Sequence, residues 1–472
     1  MSAISSPHKL TRITKLAFGI GDLGPAIVAG INGFFLNAFL IEVAGLRPAA
    51  AAVIFLIVKA WDAVNDPVVG ALTDRTNTRW GRRRPWLLFG AIPFGLAFLL
   101  QWLVPDWGDA GKFWYYLLVA LLLDTGFTAV NVPYAALTPE LTQDYDERTT
   151  LNSYRFSFSI LGGTFAAFFH TLIVNGYAER GAILTGYAIS AGIWAFVIIV
   201  SNFITFAFTR ENHFHQEDDE AALGIVAGIK IALSNRPFVQ VTIIYLLSWL
   251  AIQFVQNNLI LYVKYWTGGV EQFQWLLLLL QLSAFVFLLI WTRVSQRLGK
   301  QRVYYLGAAA WIIAGIFLFF VPAGGIAWLY PIALVASLGV SVCYLIPWSM
   351  LPDVIELDEL ETGQRREGVF YGFFVFLQKL GISLGIAASN LILDWAGYVK
   401  PLYAGAPLLE NQPESVLLAL RSFVSIAPIV ILIAGILAVR AYPITRQKHA
   451  EIQAALLRRK ATAGNPPLQQ RS

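Results

Sequence analysis

Apolar residues in this chain come in long, nearly unbroken runs, separated by short polar turns. A helix needs about twenty mainly apolar residues to cross the hydrocarbon core of a bilayer. Runs of that kind lie near 16–42, 50–73, 85–104, 113–137, 152–176 and 183–208. A polar stretch beginning at Arg210 and Glu211 follows, and then runs near 237–264, 273–293, 303–321, 327–350, 369–393 and 418–440. The pattern predicts an all-α polytopic membrane protein of twelve spans: a six-helix bundle at 1–208, a cytoplasmic middle loop at 209–236, a second six-helix bundle at 237–441, and a polar cytoplasmic tail at 442–472 whose end is disordered. Gly24-Pro25 and Asn131-Val132-Pro133 interrupt spans, which is tolerated where neighbouring helices satisfy the freed backbone groups.

Charge gives the runs a direction. Most Lys and Arg fall in segments on the same side as the N-terminus. Arg47, Lys112, Arg180, Lys264, Lys400 and Arg421 fall on the other side, and Lys59, Arg155 and Lys379 fall inside spans. The positive-inside rule then puts both termini in the cytoplasm and requires an even number of crossings. A weak repeat relates the halves. The basic turn Arg79-Trp-Gly-Arg82-Arg83-Arg84 after the second span is echoed by Arg293 to Arg302 after the eighth, and Pro139-Glu140 by Pro352-Asp353. Parallel halves enclosing a site between them are a common transporter plan.

Composition agrees. Hydrophobic residues make up 57% and charged residues 13%, against about 25% charged in a soluble domain. The net charge of +5 reads as cytoplasmic loops, not as a nucleic-acid partner. The single cysteine, Cys343, builds neither a disulfide framework nor a thiolate metal site. Met1 to Lys15 shows no cleavable signal pattern, so the first span is expected to direct insertion.

Ionisable groups inside spans are costly and mark function. Asp62 and Asp66 lie one helical turn apart on one face, with Asn65 at its border. Two carboxylates and an amide oxygen are hard ligands suited to an alkali cation; without one, their proximity favours a proton. The bland alternative is an ion pair, Lys59 with Asp62, that only pins the helix. In the fourth span Asp124, Thr128 and Asn131 form a stripe, from which Thr128 offers a hydroxyl to the same cation and Asp124 either faces a cavity or pairs with a neighbour. Arg155 offers a planar fork for two solute oxygens. Lys379, deep in the eleventh span, is placed to compensate the carboxylates when the cation is absent; snorkelling to an interface is its alternative. Tyr134, Tyr344 and Trp348 stand beside polar or Pro-broken segments and either line a cavity or pack. Gln253, Gln256, Asn257 and Asn258 either face a cavity or bond helix to helix.

These residues carry a resemblance. The run Lys59-Ala-Trp-Asp62-Ala-Val-Asn65-Asp66-Pro67, followed by Arg79-Trp-Gly-Arg82-Arg83-Arg84-Pro85-Trp86, resembles the glycoside–pentoside–hexuronide:cation symporters of the major facilitator superfamily, which include the melibiose permeases. The likeness continues through Gly19-Ile-Gly21-Asp22-Leu-Gly24, Asn131-Val-Pro133-Tyr134, Arg155 and Thr362-Gly-Gln-Arg365-Arg366-Glu367-Gly368. It implies the major facilitator fold, a cation site at Asp62, Asn65, Asp66 and Thr128 for Na⁺ or H⁺, a charge partner at Lys379, and a sugar-contacting arginine at Arg155. Substrate contacts are further expected at Asn131, Tyr134, Trp348 and Asp124. The sugar pocket departs from that of melibiose permeases: Ala26, Asn131 and Ala135 stand where those have an aspartate, an acidic residue and a tryptophan.

The resemblance implies cation-coupled symport of a sugar or glycoside by alternating access in the plasma (bacterial inner) membrane, with no cofactor beyond the coupling ion. Membrane lipids and a small-molecule substrate are the expected partners, and a monomer the working unit. Contacts of Asp74, Glu140 and Asp353 with Arg82, Arg83, Arg365 and Arg366 are expected to form a cytoplasmic gate; ordinary topology charges are the alternative. A cation-coupled carrier of lipid or another organic solute is the second reading. A membrane enzyme or a nontransporting sensor is the third, and the spans contain no nucleophile motif, metal-spaced His pair or phosphate loop.

Overall fold

The computed structural model describes residues 10–142, 144–211, 225–364, 366–406 and 411–463. Among them, twelve helices are long and apolar enough to cross a membrane. They are α1 (Arg12–Leu36), α2 (Pro48–Arg75), α3 (Arg84–Gln101), α4 (Asp109–Leu141), α5 (Glu147–Ala178), α6 (Ile183–Phe208), α7 (Arg236–Thr267), α8 (Val270–Leu298), α9 (Lys300–Phe319), α10 (Ile326–Thr362), α11 (Glu367–Trp395) and α12 (Glu414–Ala441). Two further helices depart from the expected loop and tail. Ile225–Ser234 is helical within the stretch read as middle loop, and α13 (Arg446–Ala463) occupies most of the tail. The final residues of the tail, read as disordered, lie outside the described residues.

The helices form two compact units. One comprises Met1–Asp218, Gln256–Leu278 and Ile386–Leu420; the other comprises Asp219–Val255, Leu279–Gly385 and Arg421–Ser472. In the first unit α2 shows how composition becomes orientation. Val53, Ile57, Trp61, Val64, Val68 and Leu72 are exposed along one stripe, as a lipid-facing surface must be. Asp62, Asn65, Val69 and Thr73 are buried on the opposite face. The polar residues thus point to protein because the apolar stripe leaves them no other side.

Helix α1 crosses α5 nearly backbone to backbone. A Cβ added at Gly30 would stand 2.4 Å from the Gly163 carbonyl oxygen. Small residues at such a crossing replace the hydrophobic driving force that helices lack in lipid. Beyond that crossing α1 widens into π-helical turns at Asn32–Leu36 and Phe39–Val43. The core of the second unit gathers Tyr245, Trp311, Cys343, Met350 and Phe374, with Tyr245 and Phe374 stacked at 3.9 Å between ring centres.

Candidate functional site

On α2 and α4 the structure brings together most of the residues singled out for a cation. The Thr128 hydroxyl donates to Asp66 Oδ1 at 2.9 Å. Asp62, Asn65 and Thr128 are 2%, 4% and 1% exposed. Asn65 Nδ2 lies 3.5 Å from both the backbone and the carboxylate oxygens of Asp124. Asp124 thus belongs to this cluster, and Asn131 is half-buried on the same helix. Lys59 joins them: its ammonium is 3.3 Å from Asp62 and 4.0 Å from Asp124. The pairing weighed as the bland alternative is therefore present, with its lysine 29% exposed. Asp62, Asp66 and Thr128 present oxygens of the hard type that alkali cations take as ligands. Lys379 stands on α11, in the other unit.

Arg155 is already engaged. Its Nε donates to Asp22 Oδ1 at 3.1 Å, and its guanidinium lies over the Tyr134 ring at 5.2 Å. Tyr134 is fully buried; its hydroxyl donates to the Phe18 carbonyl at 2.6 Å and its ring stacks on Phe18. In this structure Tyr134 fastens α4 to α1. Asp22 is the residue that sequence reasoning passed over, quoted only as part of a glycine-rich run. Trp348 is partly exposed, with its ring beside Tyr245, Phe374 and Tyr371, and Tyr344 packs edgewise on Trp249. Asn257 donates to Ser389 at 3.1 Å, a helix-to-helix bond. Ala26 is 5% exposed, and its carbonyl lies 3.0 Å from where a Cβ on Gly163 would stand. The position of the melibiose-permease aspartate is here a tight helix contact.

The charged turns pair within their own units. Arg83 reaches Asp74 at 2.5 Å and Glu140 at 3.5 Å, and Arg82 reaches Glu140 at 3.0 Å. The turn itself is folded around Glu211, whose carboxylate accepts the backbone N–H groups of Arg82, Arg83 and Arg84 at 2.6–2.8 Å. Glu211 thus caps α3, as anions do at helix N-termini. Its position just beyond the sixth span, next to Arg210, was the available signal. In the second unit the pairing differs from the expected one. Asp353 is bound by Lys300 at 2.7 Å, and Arg366 forms a fork with both oxygens of Asp358 at 2.9 and 2.5 Å. Arg365 lies outside the described residues.

A further charge cluster sits in the first unit at the helix ends remote from the N-terminus. Glu42, 5% exposed, contacts the Lys264 ammonium and accepts from the Tyr265 hydroxyl at 2.6 Å. Nearby, Asn390 donates to Asn37 at 2.6 Å and Gly405 N–H to Val43 O at 3.1 Å.

Residues 17–446 match the family described as MFS/sugar transport protein. An uncharacterized symporter, sll1374, of Synechocystis sp. is 38% identical over 97% of this chain and 98% of its own length. The sodium-dependent lysophosphatidylcholine symporter 1-A of Danio rerio is 31% identical over 93% of this chain and 87% of its own. Among solved structures, a bacterial homologue of the human lysosomal transporter Spinster superposes with a TM-score of 0.66 at 13% identity, covering 91% of this chain and 96% of that one. The nucleoside transporter NupG gives 0.63 at 14%, covering 92% and 100%. At such identities the likeness shows the fold, that of the major facilitator transporters.

Proposed function

The chain belongs to the MFS/sugar transport protein family, of the glycoside–pentoside–hexuronide symporter type, and from that premise we propose that it couples solute uptake to a cation bound at Asp62, Asn65, Asp66 and Thr128. It is a multi-pass membrane transporter. The observation that carries the proposal is the hydrogen bond from Thr128 to Asp66 at 2.9 Å, which joins α2 to α4 among buried oxygens. With no cation, Lys59 supplies the positive charge that Asp62 needs. An entering Na⁺ or H⁺ offsets one of the two carboxylate charges and releases that lysine, and Lys379 serves as the second compensating charge. Competition of this kind makes the carboxylates tolerable in lipid at every stage of the cycle.

The two six-helix bundles, 1–208 and 237–441, alternate in exposing the site, with the intra-unit clasps at Asp74, Arg82, Arg83 and Glu140, and at Asp353, Asp358 and Arg366, re-forming as one side closes. Arg155 presents its remaining donors to the solute while Asp22 holds it. The Lys and Arg bias supports a reading in which both termini lie on the cytoplasmic side of the inner membrane, with a monomer as the working unit.

A sugar or glycoside is the substrate that the family description favours. A lysophospholipid is the second reading, supported by the Danio rerio relative and by Ala26, where the acidic sugar contact is replaced by a closed helix crossing. Uptake by reconstituted vesicles tests both, using a panel of sugars and lysophosphatidylcholine under imposed Na⁺ or pH gradients. Asp66→Asn is expected to abolish uphill uptake. Full gradient-driven accumulation by that variant would remove the cation-site assignment.

A further inference from the structure

Asp353 poses a charge problem that the spans of the second unit solve only in part. It is 5% exposed near the end of α10, and a buried carboxylate requires compensating charge and several donors. In the first unit the corresponding acid, Glu140, receives two arginines from the turn after α2. The matching turn before α9 gives Asp353 one base, Lys300, whose ammonium lies 2.7 Å from both carboxylate oxygens and 2.6 Å from the Ser349 carbonyl. A second nitrogen base comes from the tail. His449 Nε2 on α13 is within hydrogen-bond distance of Glu356 Oε2, at 3.0 Å, and lies 3.3 Å from Asp353 Oδ1, where the ring adds positive charge when it is protonated.

The tail helix is seated, not merely adjacent. Ile452 and Leu456 are buried, at 1% and 9% exposure. Arg446 donates to the Arg297 carbonyl at 2.8 Å, Arg459 to the Leu360 carbonyl at 3.3 Å, and Gln301 to the Tyr442 carbonyl at 2.9 Å. These bonds bracket the last turns of α10 and the turn between α8 and α9. Asp353 and Glu356 are three residues apart on one helical face, so one imidazole nitrogen reaches both carboxylates.

We propose that α13 is a working part of the second unit's charged clasp, with His449 the positioning residue that completes on Asp353 what Lys300 begins. His449 takes the place that the second arginine holds on Glu140. The tail thereby fixes the last turns of α10, and its undocking releases them. This goes beyond the cation site and does not depend on which solute is carried.

Hydrogen–deuterium exchange of the full-length protein in lipid nanodiscs tests it. His449→Ala is expected to speed amide exchange over residues 349–362 by about tenfold or more, the factor for one lost charge-assisted hydrogen bond. Exchange over residues 73–84, in the first unit's clasp, should stay at its wild-type rate. Truncation after Tyr442 should do at least as much, and His449→Arg should restore protection. Unchanged exchange over 349–362 in either His449→Ala or the truncation would overturn the proposal. So would equal loosening by His449→Ala and His449→Arg, because a charge-carrying replacement would then count for nothing.

Discussion

Removing the Arg155 side chain separates two roles that the residue can hold. As a solute fork alone, it could be cut to alanine with loss of affinity and little else. The structure adds a second consequence. Asp22 has a side chain only 6% exposed, and Arg155 Nε is 3.1 Å from its carboxylate. Taking one partner from a buried pair costs about 3–5 kcal/mol, mostly because the other charge is left stranded. Arg155 is 23% exposed, so water already shares its solvation and the lower end applies, about 3 kcal/mol. The stranded acid can be relieved: in Asp22→Asn/Arg155→Gln the buried charges are gone and a neutral hydrogen bond remains possible. That double variant should recover all but about 1 kcal/mol, the worth of a neutral bond. Thermal unfolding in detergent, followed by tryptophan fluorescence, measures the three variants, and solute binding is measured on the same samples. Arg155→Ala should be clearly destabilised and the double variant nearly wild-type in stability, with solute binding weakened in both. If Arg155→Ala melts with the wild type, or the double variant is less stable than the single, the pair does not hold α1 to α5 as described.

Ala26→Asp would restore the acid that melibiose permeases carry, yet here it would bury a carboxylate at the α1–α5 crossing. It should cost at least about 3 kcal/mol, and a variant that melts like the wild type would show that the crossing is looser than drawn. Gly81 adopts φ +103°, and a Cβ there would stand 2.3 Å from the Glu211 carboxyl. Gly81→Ala should therefore destabilise by about 1–3 kcal/mol from backbone strain plus displacement of Glu211; in a Glu211→Ala background only the strain should remain, and equal penalties in both backgrounds would deny the contact. Glu42→Gln and Lys264→Met should each destabilise by about 3 kcal/mol or more, whereas the double variant should lose less than the sum. Strict additivity in a double-mutant cycle of melting free energies would mean that the pair is not formed.

The sequence alone was enough for the fold class, because twenty-residue apolar runs leave a chain few alternatives to crossing a membrane. It also carried the stripe of acidic residues on α2 proposed to hold the cation. Asp62 and Asp66 share a face by helical geometry, and the apolar stripe of Val53, Ile57, Trp61, Val64, Val68 and Leu72 turns that face inward. Both properties are periodic along one helix, and periodicity is visible in one dimension. What the tertiary structure decided was pairing. That Arg155 leans on Asp22, that Asp353 takes Lys300 and His449 while Arg366 takes Asp358, and that Glu211 caps the turn at Arg82 all depend on which helices lie side by side. The tail shows the same division. Its polarity reads as no more than a cytoplasmic tail, but its few apolar residues, Ile452 and Leu456, find a surface on α10. A charge chooses its partner by distance in space, and residues far apart in the chain reveal that distance only once it has folded.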